Sequence, residues 1–354
     1  MRFTPALVAT VLLESVAAHP GHSLAEELQE RRQYLSTAKV RDLSHCTAKL
    51  KARGVEARNL ARREQTFAAA RAKRGLTTKR SLTSVLATDH NATDLGYSLS
   101  TDETTVFASA NTSCVLTPDV TQGPYYVGGE YIRSNIIETQ TGVDTVVDYQ
   151  VIDSTTCEPV PNVYVEMWHA NATGVYSGIV ESGNGNTADT ENIDKTFLRG
   201  IQETDEDGVA QFETIFPGHY VSRANHFHIL VHTNVTVYAN GTLGNDVSAS
   251  HVGQGFFDQT LVSAVEALAP YNTNTQDLTV NADDSILAQE AETEGVDPIF
   301  EYTYLGDTLS DGLLAWLAFG IDTSESSSVT PAAFYYATGG EANSDSSSGG
   351  GGPP

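Results

Sequence analysis

The chain has 354 residues and a formal net charge of −25, and 40% of its residues are apolar, enough for a sizeable core. The charge is unevenly spread, because residues 1–80 hold sixteen of the twenty Lys and Arg residues, while residues 81–354 hold thirty-eight of the forty-five Asp and Glu residues. Such an acidic surface repels polyanions, so the composition excludes nucleic acid as a partner of the larger part.

Residues 1–18 have the pattern of a secretory signal peptide. Arg2 provides a positive start, a short apolar run follows, and small residues precede a cleavage position after Ala18. No later segment is apolar enough to span a bilayer, so we predict a secreted, extracellular protein with no membrane partner. Asn171 begins an N-x-[ST] triplet but lies inside a motif described below, so we predict that it is unmodified. Four other triplets are predicted glycosylation sites, at Asn91, Asn111, Asn234 and Asn240.

Residues 19–80 form a basic segment with helical composition. Ala, Leu, Glu, Lys and Arg dominate residues 23–75, and the pattern predicts two amphipathic helices broken near Gly54. The dibasic pair Lys79–Arg80 at the charge boundary is typical of a processing site. The segment is therefore either a pro-segment removed after Arg80 or a permanent helical arm, which could support a homodimer.

The three cysteines divide between the two parts of the chain. Cys46 lies in the helical segment, whereas Cys114 and Cys157 lie beyond Arg80. Removal of the segment would leave an even pair, so we predict a Cys114–Cys157 disulfide, with two buried free thiols as the alternative.

Residues 81–337 have the texture of an all-β domain. Short β-rich runs, among them "DTVVDYQVID", "VPNVYVEMWHA", "GVAQFETIF" and "NHFHILVHTNVTVY", are separated by turn signals such as "DEDG". We predict an antiparallel β-sandwich with one short helix at "QTLVSAVEALAPY". Residues 338–354 are rich in Gly and Ser and are predicted to be a disordered tail.

Four of the ten histidines lie in "HYVSRANHFHILVH", residues 219–232. On a strand, His226 and His228 share a face about 6–7 Å apart, so both imidazoles can converge on one ion. His232 also shares that face but lies about 13 Å beyond His228, and His219 precedes the strand. The spacing therefore predicts a metal pair at His226 and His228, with the flanking histidines uninvolved.

Two tyrosines are candidates to complete this site. Tyr220 lies six residues before His226, with Arg223 midway, and Tyr176 follows a Gly-containing turn after another strand. Two tyrosinates and two imidazoles form a hard, anionic donor set that suits Fe(III). A bound cation also lowers the pKa of its ligands, which allows the phenols to ionise.

Three long motifs, "VEMWHANATGVYSG", "RGIQETDEDGVAQFETIFPGHYVSRANHFHILVH" and "HVGQGFFDQ", resemble those of intradiol ring-cleavage dioxygenases. The resemblance covers roughly residues 105–310, including "TQGPYYVGGEYIRSNI", and is strongest to the secreted fungal-type branch, which is similar to the protocatechuate and catechol dioxygenases. It implies a β-sandwich with a non-haem Fe(III) between its sheets. The implied iron ligands are Tyr176, Tyr220, His226 and His228.

The resemblance also implies the reaction and further site residues. A catechol-type diol and O2 are the expected substrates, and muconate-type diacids are the expected products. Arg223 is expected to stabilise negative charge on the ring, Gln254 to line the reaction centre, and His169 to be structural. The segment Tyr220 to Arg223 is shorter than in catechol-type members, which indicates a more open pocket. The other wall would come from Pro124, Tyr125 and Tyr126.

Two other functions are compatible with parts of the sequence. If His19 became the mature N-terminus, its amine and imidazole could bind copper, as in secreted polysaccharide monooxygenases. A non-catalytic binding module is the second alternative, although all four predicted ligand positions are filled. The preferred diol is left open, and the scarcity of basic residues near the site favours an uncharged one.

Overall fold

In a computed structural model, residues 43–76, 113–115, 123–184, 186–244, 247–291 and 297–344 are described. The predicted signal peptide, His19, the Lys79–Arg80 pair, Asn91 and Asn111 lie outside these residues. Within them, no helix is long and apolar enough to cross a bilayer.

Short β-strands are the main regular structure of the described residues, as the sequence predicts. The runs predicted as strands correspond to the strands Asp144–Asp153, Tyr164–Trp168, Val209–Ile215 and His226–His232. The strands are β1 Ser113–Val115, β2 Val127–Gly128, β3 Asp144–Asp153, β4 Tyr164–Trp168, β5 Arg199–Glu203, β6 Val209–Ile215, β7 His226–His232, β8 Thr236–Val237, β9 Leu243–Gly244, β10 Ser248–Ala249, β11 His251–Phe256, β12 Glu301–Tyr304, β13 Leu313–Ile321, β14 Ser327–Ser328, β15 Ala333–Tyr336 and β16 Gly339–Ala342.

Two sheets form the predicted β-sandwich. The first sheet has the order β1-β13-β3-β6, with β12 also on β13, and the second has the order β11-β7-β4-β5. The second sheet is antiparallel throughout, whereas β13 runs parallel to both β1 and β3. The sandwich is confirmed, and its first sheet is mixed because β3 and β13 are joined by a long stretch of chain rather than by a hairpin.

The alternation of side chains along β7 separates two apolar clusters. Phe227, Ile229 and Val231 face the first sheet and belong to the main core between the two sheets. His226, His228 and Leu230 lie on the opposite face, where loops cover the second sheet. All seven residues of β7 are buried, so both faces of the second sheet are covered.

The helical segment has the predicted break at Gly54. Helix α1 ends before this residue, which adopts a left-handed conformation (φ 67°) at the start of α2. The short helix predicted near residue 260 is also present, as α3. The helices are α1 Thr47–Ala52, α2 Val55–Lys73, α3 Gln259–Glu266 and α4 Ser285–Ala291.

Helix α2 covers the outer face of β3 with a polar stripe. Asn59 and Gln150 exchange two side-chain hydrogen bonds. Arg62 donates two hydrogen bonds to Asp148, one from Nε and one from a terminal nitrogen, both at 2.9 Å. Arg63 is fully buried and contacts the same carboxylate at 3.3 Å. Burial alone would raise the pKa of Asp148, but the two guanidinium groups lower it below its ordinary value. The basic helix therefore neutralises an acidic sheet face within the same molecule.

The predicted Cys114–Cys157 disulfide is wrong. Cys157 is bonded to Cys46, 111 residues earlier in the sequence. The bridge joins the residue before α1 to the turn after β3, in a small cluster with Leu43 and Ile152. The error arose because the cysteine arithmetic set the helical segment aside, whereas that segment packs on the sheet.

The predicted start of the disordered tail at residue 338 is also wrong. Residues 339–342 form β16, which pairs antiparallel with β15, and Asp194 accepts a hydrogen bond from the Gly340 nitrogen. The glycines permit this because a Cβ on Gly340 would lie 1.8 Å from the carbonyl oxygen of Ile193. Residues 345–354 of the predicted tail lie outside the described part.

Candidate metal centre

His226 and His228 converge as the strand spacing predicts. Their Nε2 atoms are 3.0 Å apart. The Nδ1 atom of His226 donates to the carbonyl oxygen of Ala224 at 2.6 Å, which fixes the tautomer and leaves a lone pair on Nε2. Burial and the nearby Arg223 lower the pKa of His226 to about 3, so this imidazole is neutral and free to bind a cation.

The strand pairing of the second sheet orients the ring of His228. Trp168 lies opposite it on β4 and stacks on it with ring centroids 4.8 Å apart and an interplanar angle of 5°. On its other side the backbone of Gly123 approaches closely, since a Cβ on that glycine would lie 2.9 Å from Cε1 of His228. With its φ of 74°, position 123 therefore requires glycine for both conformation and space.

A set of asparagines holds the loop that presents Tyr176. Asn184 accepts from the Tyr176 nitrogen at 2.7 Å and donates to its carbonyl oxygen at 2.8 Å, and Asn192 donates to the same oxygen. Asn171 accepts from the nitrogens of Thr173 and Val175 and so closes the preceding turn. This structural role fits the prediction that Asn171 carries no glycan.

A tight turn presents Tyr220 beside the histidines. The Arg223 nitrogen donates to the Tyr220 carbonyl oxygen at 3.1 Å, and Ser222 adopts a positive φ of 67°. The rings of Tyr220 and Tyr176 meet edge to face with centroids 5.3 Å apart. Val221, at the tip of the turn, is 53% exposed, so the tip of this short segment faces solvent.

The four predicted donor atoms fit one cation. The hydroxyl oxygen of Tyr176 is 3.2 Å from Nε2 of His228, and that of Tyr220 is 3.5 Å from Nε2 of His226. Donors bound to a common ion at about 2.1 Å lie roughly 3 Å apart, in agreement with these distances. Burial raises the pKa of both phenols, so their ionisation requires a positive charge such as a bound cation.

Arg223 is fully buried against the donor set, as predicted for an active-site arginine. Its Nε donates to Asp284 at 2.9 Å, and another nitrogen lies 3.5 Å from the Tyr220 hydroxyl. Burial alone would lower the pKa of Arg223, but the negative charge of Asp284 and the nearby Tyr220 raise it by more. The net pKa lies above its ordinary value, so the guanidinium stays charged. A third nitrogen donates to Oε1 of Gln254, which places both predicted catalytic residues at the site. Nε2 of Gln254 is buried without a hydrogen-bond partner among the described residues.

Asp284 is a site residue that the sequence analysis missed. Its carboxylate accepts from Arg223, from the Ala224 nitrogen at 2.7 Å and from two nitrogens in the first turn of α4. Burial would raise the pKa of Asp284, but Arg223 and His226 lower it to about 2. An Asp directly before a helical run was the available sequence signal.

Replacing Asp284 with Ala is expected to lower the free energy of unfolding by about 3–5 kcal/mol, because the buried guanidinium of Arg223 would lose its carboxylate. Denaturant unfolding would measure the change. Asp283→Ala is the matched control, since Asp283 is exposed and its loss should stay within about 0.5 kcal/mol. Equal effects of the two substitutions would contradict the assigned role.

The predicted pocket wall divides into two environments. The Tyr125 ring lies 4.9 Å from that of Tyr176 and 6.1 Å from that of Tyr220, whereas Pro124 is half-buried beside it. Tyr126 packs on Trp168, and its hydroxyl donates to Glu166 at 3.3 Å. Tyr125 is thus placed to contact a substrate, while Tyr126 supports the wall from behind.

The other histidines of the motifs have structural hydrogen bonds. His169 bonds to Ala170 and Thr214, and burial lowers its pKa to about 3. His219 pairs with Glu266 at 2.9 Å, and His232 pairs with Glu166 at 2.8 Å. None of these contacts joins the donor set, as predicted.

The implied position of the ion between the two sheets is wrong. The donor set belongs to the cluster of Tyr125, Trp168, Tyr176, Tyr220 and Leu230, on the face of the second sheet that is turned away from the main core. Strand alternation gives the reason, since Phe227 between the two histidines points into the core. The site therefore lies between the second sheet and the loops that cover it.

The geometry gathers two histidines and two tyrosines into a buried candidate metal centre on a β-sandwich, and the comparisons with known proteins bear on its class. A family model described as "Dioxygenase" matches residues 121–240, which contain all four donors. A solved intradiol ring-cleavage dioxygenase from Tetranychus urticae is 32% identical and matches 60% of this chain and 97% of its own, with a TM-score of 0.48.

Two curated relatives are catechol 1,2-dioxygenases, from Acinetobacter lwoffii and Acinetobacter baylyi. Each is 31% identical over 108 residues, which are 29% of this chain, and the chain spans about a third of their length (32%). The family model and the two curated relatives together identify the chain as of the intradiol ring-cleavage dioxygenase type.

Proposed function

We propose that this protein is a non-haem Fe(III) intradiol dioxygenase that cleaves catechol-type diols with O2 to muconate-type diacids. The observation that supports this most directly is the convergence of two imidazole nitrogens and two phenol oxygens, with neighbouring atoms 3.0–3.5 Å apart. The match to the family model supports the same reaction class.

The residues of the chain have distinct roles in this proposal. Tyr176, Tyr220, His226 and His228 would hold Fe(III), which when bound supplies electron withdrawal from a chelated diolate. Tyr220 is the phenol next to Arg223, and a tyrosinate at this position accepts a proton from the incoming diol. Arg223 stays fixed by Asp284 and presents its charge to the anionic ring.

We also propose that the protein is secreted. The Cys46–Cys157 disulfide is typical of proteins from oxidising compartments, and Asn234 and Asn240 are exposed, as a glycan requires. The fungal-type branch and a homodimer stay predictions from the sequence.

A visible absorption spectrum of the iron-loaded protein tests the proposed function. Tyrosinate bound to Fe(III) gives a broad charge-transfer band, which we expect to shift to longer wavelength when catechol is added without oxygen. Admission of O2 should then restore the original band and yield a muconate. A colourless protein with stoichiometric iron would contradict the two-tyrosinate centre.

A further inference from the structure

A carboxylate lies one phenol ring away from the donor set. The hydroxyl of Tyr125 donates to Glu181, and the Tyr125 ring contacts both Tyr176 and Tyr220. Glu181 is half-buried, and its Oε1 atom is shielded from solvent without a hydrogen-bond partner among the described residues. The side of the site that Tyr125 forms is therefore backed by a negative charge.

The loop that carries Glu181 is fixed by its own hydrogen bonds. The carbonyl oxygen of Ile179 accepts from Asn184, Asn186 and Asn192 at 2.7–3.1 Å. The Asn184 nitrogen donates to the Glu181 carbonyl oxygen at 3.2 Å. Asn184 and Asn192 also hold Tyr176, so the carboxylate and the donor set share one support.

The arginines of the acidic part are paired with carboxylates other than Glu181. Residues 81–354 contain four basic residues, of which Arg223 is bonded to Asp284 and Arg133 to Glu138. Arg199 is buried 3.7 Å from Glu130 and donates to backbone oxygens, while Lys195 is exposed. Arg223, Arg133 and Arg199 thus each have another carboxylate as their ion-pair partner, so none of these ion pairs balances the negative charge of Glu181 beside Tyr125.

We propose that Glu181 determines substrate specificity and that the site accepts neutral and amine-bearing catechols in preference to carboxylate-bearing ones. This inference rests on the proposed function. A charged ring substituent about 8 Å from Glu181 changes relative affinity roughly five- to thirtyfold at an effective dielectric constant of 20–40. The acidic surface adds to the effect by attracting cationic substrates, and it favours release of a dianionic product.

The test compares three diols on the iron-loaded wild-type protein and on Glu181→Gln. Their kcat/KM values are measured at neutral pH and low ionic strength with dopamine, methylcatechol and protocatechuate, which carry an amine, no charge and a carboxylate. We expect the wild type to favour dopamine over protocatechuate at least tenfold. Glu181→Gln should lower that ratio about 25- to 900-fold, because it removes an effect of about five- to thirtyfold, opposite in sign, on each of the two charges.

Glu203→Gln is the matched control, because Glu203 is exposed at the end of β5, where it pairs with Tyr164 at the other end of β4 from Trp168. It should leave the dopamine-to-protocatechuate ratio unchanged. Calorimetric binding of the same diols under nitrogen gives a second readout, and the ratio of their Kd values should change in parallel in Glu181→Gln.

The outcomes separate the two proposals. If methylcatechol is cleaved but the dopamine-to-protocatechuate ratio is the same in wild type and Glu181→Gln, the role of Glu181 is wrong and the proposed function stands. If no diol is cleaved, the proposed function fails, while the Kd ratios still decide whether Glu181 selects by charge. A wild-type preference for protocatechuate would overturn the inference directly.

Discussion

Replacing Tyr220 with Phe is expected to lower kcat/KM for catechol by about 10²–10⁴-fold while the protein stays folded. The substitution removes only the hydroxyl oxygen, which lies 3.5 Å from Nε2 of His226 and 3.5 Å from the guanidinium of Arg223. The ring and its edge contacts with Tyr125 and Tyr176 would be kept. A lost general base typically costs a rate factor of this size.

The spectrum should change together with the rate. One of the two predicted tyrosinates is lost in Tyr220→Phe, so the charge-transfer absorbance per bound iron should fall by about half. Tyr238→Phe is the matched control, because this tyrosine is 53% exposed. It should change neither kcat/KM nor the band, apart from small surface effects within about 0.5 kcal/mol.

Two results would contradict the assignment of Tyr220. One is an unchanged band with an unchanged rate, which would place the second tyrosinate elsewhere. The other is loss of activity with the band intact, which would limit Tyr220 to substrate contact. Iron content must be measured for each variant, because a loss of affinity for the metal also lowers the rate and is distinguished by the metal-to-protein ratio.

The candidate site was predictable because its residues lie in ordered local patterns. Strand alternation alone places His226 and His228 on one face, and the structure brings their Nε2 atoms to 3.0 Å. Tyr176 and Tyr220 come from loops, and their positions followed from the resemblance rather than from any periodicity. Asp284 and Glu181 were missed because they reach the site through contacts between segments far apart in the sequence.

The fold was predictable to the level of its elements and less so in their pairing. Alternating runs identified β3, β6 and β7, and Gly54 marked the break between α1 and α2. The packing of α2 on the sheet could not be predicted from the sequence, because its buried face includes Asn59 and Arg63, which a search for apolar periodicity does not detect. Their partners on β3 are equally polar, so only the tertiary structure reveals the match.

The packing of the helical segment bears on what cleavage at the dibasic pair Lys79–Arg80 would do. Whether the chain is processed after Arg80 stays a prediction, since that residue lies outside the described part. The Cys46–Cys157 bridge and the contacts of Arg62 with Asp148 attach the helical segment to the sandwich. A cleaved segment would therefore remain joined to the catalytic domain by a covalent bond, which favours the helical arm over a discarded pro-segment.

Removal of this bridge is expected to cause a loss of stability as large as that of the buried Arg223–Asp284 ion pair. The bond connects residues 111 positions apart, and closing so long a loop restricts the unfolded chain. In the chain-entropy model a loop of about 100 residues corresponds to about 4.7 kcal/mol, and measured losses are typically 2–5 kcal/mol. We therefore expect the Cys46→Ser, Cys157→Ser double variant to lose about 4 kcal/mol of unfolding free energy in denaturant titrations.

Cys114→Ser is the matched control, because it replaces a cysteine without affecting the bridge. It should lose far less stability than the double variant, and non-reducing peptide mapping should recover Cys46 linked to Cys157. The opposite result, with Cys114→Ser as destabilised as the double variant and a peptide linking Cys114 to Cys157, would restore the pairing expected from the sequence. It would also detach α1 from the sheet, leaving the ion pairs between Arg62, Arg63 and Asp148 as the main anchor of the segment.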